Sequence, residues 1–155
     1  MADIRIRVAQ NKTETLKALQ DPAKATGPFQ FYVDILSFAA SLGMRHGTRK
    51  KIDEYSKEID PIRQDIFKNS GYDQLINLAA LISTGDPKIL ANDDKSEEMR
   101  IKIFEEYANA GLEILEDRMR GFTDHTECIL LLLSETLDDK DSDLDELEIE
   151  KLLLD

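Results

Sequence analysis

Apolar and polar residues alternate strictly near the start of the chain. Ile4, Ile6 and Val8 fall on one side of this pattern, and Arg5 and Arg7 fall on the other. A period of two residues is typical of a β-strand with one buried face. We therefore predict a short N-terminal strand that buries its aliphatic side chains and exposes its arginines.

Further along the chain, apolar residues recur every three or four positions, which predicts helices. Residues 11–20 predict a short helix that ends before Pro22, because proline disfavours the helical conformation of the residue that precedes it. Residues 28–42 predict a longer central helix, with Pro28 in its first turn and a stop at Gly43. We expect one face of this helix to be buried, namely Phe31, Ile35, Phe38, Ala39 and Leu42.

Three more helical patterns follow, over residues 72–83, 96–120 and 122–137. Gly111 lies inside the second pattern, where glycine costs about 1 kcal/mol relative to alanine. A glycine at such a position usually indicates that another helix packs closely against it. The first pattern has an apolar stripe that we expect to be buried, formed by Leu75, Ile76, Leu78, Ala79 and Ile82.

Together these patterns predict a mainly α protein with one helical domain over residues 1–137 and a short N-terminal β-strand. A chain of 155 residues is long enough to bury a sizeable core without a disulfide or a metal. Cys128 is the only cysteine, so it has no partner for an internal disulfide. The sequence has no secretory leader pattern and no apolar run of about 18 residues, so we expect a cytoplasmic protein.

Charge is distributed unevenly along the sequence. Residues 1–51 carry a net charge of +5, residues 52–134 carry −9 and residues 135–155 carry −8, which together give the overall −12. A local basic region can bind phosphate even when the whole chain is acidic. The simpler interpretation is that acidic helical surfaces keep the protein soluble.

The order strand, helix, helix over residues 4–43 matches the ribbon-helix-helix pattern. In that fold the strands of two chains pair and enter the major groove of DNA, so the pattern implies a homodimer. The candidate DNA or phosphate contacts are then Arg5, Arg7, Arg45, Arg49, Lys50 and Lys51. Two simpler interpretations stay open. The arginines of an edge strand can serve to prevent aggregation, and basic residues after a helix can stabilise its dipole.

No motif in the sequence predicts catalysis. The basic segment 45–51 lacks the spacing of a P-loop, and no strand precedes it. Asp124 and His125 each lie about one helical turn from Cys128, but two ligands without a second Cys or His cluster do not define a metal site. We therefore expect neither a catalytic residue nor a metal or other cofactor.

The last part of the chain, residues 138–155, interleaves leucines with many acidic residues. Such a segment is either a solvated tail or a short amphipathic helix that binds a partner or covers the basic N-terminal face. The candidate partner-binding residues are Leu144, Leu147, Leu152 and Leu153.

Three segments carry a resemblance to a known family. They contain the strings DILSFAASLG at residues 34–43, AALISTGD at residues 79–86 and FEEYANAG at residues 104–111. In this order they resemble the DNA phosphorothioation (Dnd) system-associated protein 4 family. The resemblance implies a place in a bacterial defence system that puts sulfur into the DNA backbone and restricts unmodified DNA. It gives no catalytic residues to carry over.

The resemblance and the charge pattern together lead to one functional expectation. We expect a non-enzymatic accessory or regulatory factor that acts as an adaptor for DNA or for other protein components of the same system. The first alternative is a protein-interaction subunit that does not contact nucleic acid. A metal-dependent enzyme is the third possibility, and it would require carboxylates or histidines that the fold brings together.

Overall fold

The computed structural model describes residues 4–20, 28–135 and 137 of the chain. These residues form a mainly helical fold with one short antiparallel two-stranded sheet, which confirms the predicted fold class. In chain order the elements are β1 (Arg5–Ile6), a 3-10 turn (Gln10–Lys12), α1 (Thr13–Leu19), α2 (Tyr32–His46), β2 (Ile62–Arg63), α3 (Gln64–Asn69), α4 (Asp73–Thr84), a second 3-10 turn (Pro87–Leu90) and α5 (Asp94–Met119). A last helix, α6, covers residues 125–135, and residue 137 is also helical.

Helices α2 and α5 pack against each other through two glycines. A Cβ atom placed on Gly111 of α5 would overlap the backbone of Ala39, and one placed on Gly43 of α2 would overlap the carbonyl group of Tyr107. The two helices therefore approach so closely that backbone touches backbone, with Ala108 of α5 also buried nearby. The close packing predicted from Gly111 is confirmed.

The other elements pack around this helix pair and complete the core. Ile6 and Val8 are buried from the strand side, and Leu16 and Leu19 of α1 are fully buried. Phe67 of α3 meets Phe104 of α5 edge to face, with ring centroids 5.5 Å apart. Edge-to-face contact is a favoured geometry for aromatic pairs. No helix among the described residues is both long and apolar enough to cross a bilayer.

Strand β1 buries the face that its sequence predicts, but its partner lies in the same chain. It pairs antiparallel with β2, so that Arg5 lies opposite Arg63 and Ile6 lies opposite Ile62. This pairing corrects the ribbon-helix-helix hypothesis, in which the strand pairs with a second chain. The pattern over residues 4–43 does not reveal a partner that lies some 60 positions away. A homodimer stays a prediction, now without this strand pairing to support it.

The ends of α2 differ from the prediction at both sides. The helix begins at Tyr32 instead of Pro28, because the N–H of Phe29 donates to the carbonyl of Leu19 and holds the preceding segment extended. Phe31 is consequently outside the helix and 56% exposed, not part of the buried face. At the other end the helix continues through Gly43 and stops at Gly47, which has the left-handed φ of 65°.

The later helices also differ in detail from their patterns. In α4, Ile76 and Ala79 are buried as predicted, but Leu78 and Ile82 are 48% and 53% exposed. Helix α5 begins at Asp94, two residues earlier than predicted, and is capped by Asp93, whose carboxylate accepts from the N–H of Ser96. The domain boundary at residue 137 stays a prediction. The candidate partner-binding residues lie outside the described residues, and they are Leu144, Leu147, Leu152 and Leu153.

Candidate functional site

One face of α5 carries glutamates that pair with the basic N-terminal third of the chain. We call the four glutamates at positions 105, 106, 113 and 116 the acidic stripe of α5. Their spacing places them along one side of the helix, under the segments that follow β1 and α2. Four ion pairs join them to those segments, namely Arg7–Glu105, Lys12–Glu116, Arg49–Glu106 and Lys50–Glu113.

The segment after α2 is also fixed to α5 by its backbone. The N–H of Lys50 donates to the carbonyl of Glu106 at 3.0 Å, and the side-chain amide of Asn109 donates to the carbonyl of Lys50 at 3.1 Å. Asn109 is buried, which strengthens such a hydrogen bond relative to one in water. The basic residues after α2 are therefore part of the packing of the fold, not a loose extension of a helix.

A groove opens between β1, the loop over residues 52–61 and the first half of α5. Its volume is about 820 Å³, and we call it the β1–α5 groove. Arg7 lies over the ring of Tyr55, with its guanidinium carbon 3.8 Å from the ring centroid. The groove is lined by Ile4, Arg5, Arg7, Tyr55, Pro61, Lys95, Glu98, Met99, Ile101, Lys102 and Glu105.

Glu105 is the most deeply buried ionisable side chain of this groove, at 3% exposure. Its carboxylate accepts the backbone N–H of Arg7 at 2.6 Å and lies 3.5 Å from the guanidinium Nε of the same residue. Burial raises the pKa of Glu105 to about 7, although its contacts with Arg7 act in the opposite direction. Near neutral pH the site therefore holds a carboxyl group that is close to half protonated.

The structure divides the six predicted phosphate contacts between two places. Arg5 and Arg7 line the β1–α5 groove, whereas Arg45 belongs to the last turn of α2 and residues 49–51 follow that helix. Arg7, Arg49 and Lys50 are already paired with glutamates. Phosphate contact by these six side chains stays a prediction, and at Arg7, Arg49 and Lys50 a phosphate would compete with a carboxylate.

Two basic residues of the groove were missed by the sequence-based prediction. Lys95 and Lys102 are exposed on α5, and neither ammonium group forms an ion pair with any described residue. They lie seven positions apart, which places them on the same face of the helix. This spacing was the only signal available, and it did not stand out because they lie in an acidic part of the sequence.

The residues first considered as a metal cluster each have a structural contact. The carboxylate of Asp124 accepts the N–H groups of Thr126 and Glu127, so it caps α6. His125 Nδ1 lies 3.1 Å from the carbonyl oxygen of Ala18, and Cys128 is buried, which raises the pKa of its thiol. Within the described ranges, no three His, Cys, Asp or Glu residues are grouped so that they could hold a metal ion.

Helix α6 exposes leucines on the side that faces away from the core. Cys128, Ile129 and Leu132 are buried, whereas four leucines of the same segment are between 42% and 61% exposed. Leu133 also borders a small apolar cavity beside Phe38 of α2. Exposed apolar side chains that are contiguous on one helix are typical of an interaction surface. We call this set the α6 leucine face, formed by Leu130, Leu131, Leu133 and Leu137.

Comparison with known proteins gives one family. The family model described as DNA sulphur modification system-associated protein 4 matches residues 5–152, which is nearly the whole chain. The match confirms the resemblance seen in the three sequence segments. No curated protein and no solved structure matches the chain.

Proposed function

Because the chain belongs to the DNA sulphur modification system-associated protein 4 family, we propose that it is a non-enzymatic accessory factor that binds another protein component of such a system. In this proposal it acts as an adaptor in the cytoplasm. The observation that carries the proposal is the exposure of the α6 leucine face, with Leu130 and Leu137 at 59% and 61%.

The state of the basic residues supports protein contacts over DNA contacts as the main role. Binding to DNA is driven largely by lysines and arginines that replace counterions at the phosphates. Here Arg7, Arg49 and Lys50 already have carboxylate partners, and each pair would have to break before the cation could contact a phosphate. We therefore propose that protein contacts are the main role of this adaptor, with any direct DNA contact confined to other cations.

Substitutions on the α6 leucine face are expected to weaken binding to the partner protein. Burial of one leucine side chain contributes about 1.5–3 kcal/mol, so the double variant Leu130→Ser/Leu137→Ser should bind at least about tenfold more weakly. The measurement is the dissociation constant for each of the other protein components of the system, by biolayer interferometry with the full chain immobilised.

A matched control is available on α4. Leu78→Ser/Ile82→Ser removes two apolar side chains of similar exposure from a different helix, and we expect it to retain the affinity of the wild type. Far-UV circular dichroism of both variants checks that the fold is retained. The proposal is wrong if the α6 variant binds every component as tightly as the wild type does.

A further inference from the structure

The β1–α5 groove has an excess of positive charge that nothing in the proposed function uses. Lys95 and Lys102 add two cations without carboxylate partners among the described residues. We propose that this groove binds a phosphate diester, either in a nucleic-acid strand or in a free dinucleotide. The charged side chains that line it are Arg5, Arg7, Lys95 and Lys102 on the positive side, against Glu98 and Glu105.

The cations lie on two walls of the groove. Lys95 and Lys102 lie on one face of α5. They are about 10 Å apart along the helix axis, because the helix rises 1.5 Å per residue. Arg5 and Arg7 are two positions apart on the strand side, where side chains at such a spacing point to the same face. An anion between the walls can therefore be contacted from both sides. Arginine is well suited to this, because its planar guanidinium matches the geometry of phosphate oxygens.

The remaining lining favours a ligand that has an apolar part as well as a charge. Ile4, Met99 and Ile101 contribute apolar surface, and Tyr55 contributes an aromatic ring. A volume of about 820 Å³ falls within the range of about 300–1,000 Å³ that is usual for small-molecule sites. A nucleoside next to a phosphate diester supplies both the flat apolar surface and the single negative charge.

Glu105 makes binding in this groove dependent on pH. An anion beside Arg7 is repelled by the Glu105 carboxylate and not by the neutral acid, so binding and protonation of Glu105 favour each other. Because burial raises the pKa of Glu105 to about 7, the coupling between anion binding and protonation operates near neutral pH. The other charged or titratable groups around Glu105 come from β1 and the segment after it, from the loop after α2 and from α5. They are Arg5, Arg7, Lys51, Tyr55, Lys95, Glu98, Lys102 and Glu106.

The test uses two probes that keep their charge near neutral pH. Dithymidine monophosphate represents the free dinucleotide, and a short single-stranded thymidine oligonucleotide represents the strand. Each is titrated into the full chain by isothermal calorimetry at low salt. We expect the affinity to fall about tenfold between about pH 6 and about pH 8, since the protonated fraction of a group with a pKa near 7 falls by this factor.

Three variants distinguish this groove from other basic surfaces. Lys95→Ala/Lys102→Ala is expected to weaken the binding of both probes at least about tenfold, because two charge-assisted contacts are lost. Glu105→Gln is expected to bind at every pH as tightly as the wild type binds at low pH. The matched control Lys68→Ala/Lys88→Ala removes two exposed lysines of α3 and the second 3-10 turn, and it should bind as the wild type does.

Each outcome decides the proposal. Binding of either probe that is lost in the Lys95→Ala/Lys102→Ala variant supports it, and the two probes show whether the ligand is a dinucleotide or a strand. Absence of binding by both probes overturns it, and so does binding that this variant leaves unchanged. These results are independent of the α6 leucine face, because none of the substituted residues belongs to it.

Discussion

Replacement of Gly111 by alanine is expected to destabilise the protein by at least about 3 kcal/mol. In an isolated helix the same change would stabilise by about 1 kcal/mol, because alanine is the better helix former. Here the added methyl group would overlap the backbone of Ala39, which cannot move aside as a flexible side chain does. Overpacking of this kind typically costs about 1–3 kcal/mol and more when backbone must shift. The tightness of the α2–α5 contact therefore outweighs helix propensity.

Urea unfolding of the Gly111→Ala variant measures the change in the free energy of unfolding directly. In thermal unfolding, the melting temperature should fall by about 10 °C for a protein of this size. Glu98→Ala is a suitable control, since Glu98 is exposed on the same helix, and a change within about 0.5 kcal/mol is expected. If the glycine variant were as stable as the wild type, α2 and α5 would have to lie farther apart than the structure shows.

The second large effect is expected in the pH dependence of stability. Glu105 has its pKa raised from an ordinary value of 4.5 to about 7 by burial. The folded state therefore binds a proton that the unfolded state has released, so stability falls as pH rises between these two values. Between about pH 5 and about pH 8 the loss from this one group should be on the order of 2 to 3 kcal/mol.

The matched variant is Glu105→Gln, whose amide oxygen can still accept the N–H of Arg7 but whose side chain does not ionise. It should be more stable than the wild type at about pH 8 and should lose most of the pH dependence in this window. Asp93 and Glu113 have lowered pKa values, so their contributions change at lower pH and do not interfere. Urea unfolding at both pH values gives the comparison. If the free energy of unfolding changed equally with pH in the variant and in the wild type, Glu105 would not be the group responsible.

Local patterns in the sequence predicted which helices and strands form better than they predicted where each one begins and ends. The alternation around Ile6 predicted the buried face of β1, and Gly111 predicted a close helix contact, because both signals arise from residues near in sequence. The start of α2 at Tyr32 was missed because it depends on a hydrogen bond from Phe29 to Leu19, across a gap that no local pattern describes. The same limitation explains why the pairing of β1 with β2 was not found.

The candidate site was predictable only in part, since charge alone does not show where a charge is paired. Arg49 and Lys50 were predicted as phosphate contacts because they are basic and follow a helix. The structure places Glu106 and Glu113 beside them, more than 50 positions away in the sequence. Conversely, Lys102 lies in an acidic part of the sequence but has no carboxylate partner among the described residues. Ion pairs between residues that are distant in sequence therefore decide which cations are available for phosphate contact, and the local charge of the sequence does not predict this.

We propose that this member of the family acts through protein contacts of α6, and one parallel titration tests this proposal most directly. The labelled full chain and its Leu130→Ser/Leu137→Ser variant are each titrated with the other protein components of the system and with duplex DNA, at about 0.15 M salt. We predict tight binding of the wild type to one protein component, loss of that binding in the variant, and weaker DNA binding that is equal for both. Tight DNA binding by both chains, with no protein component bound by either, would contradict the claim.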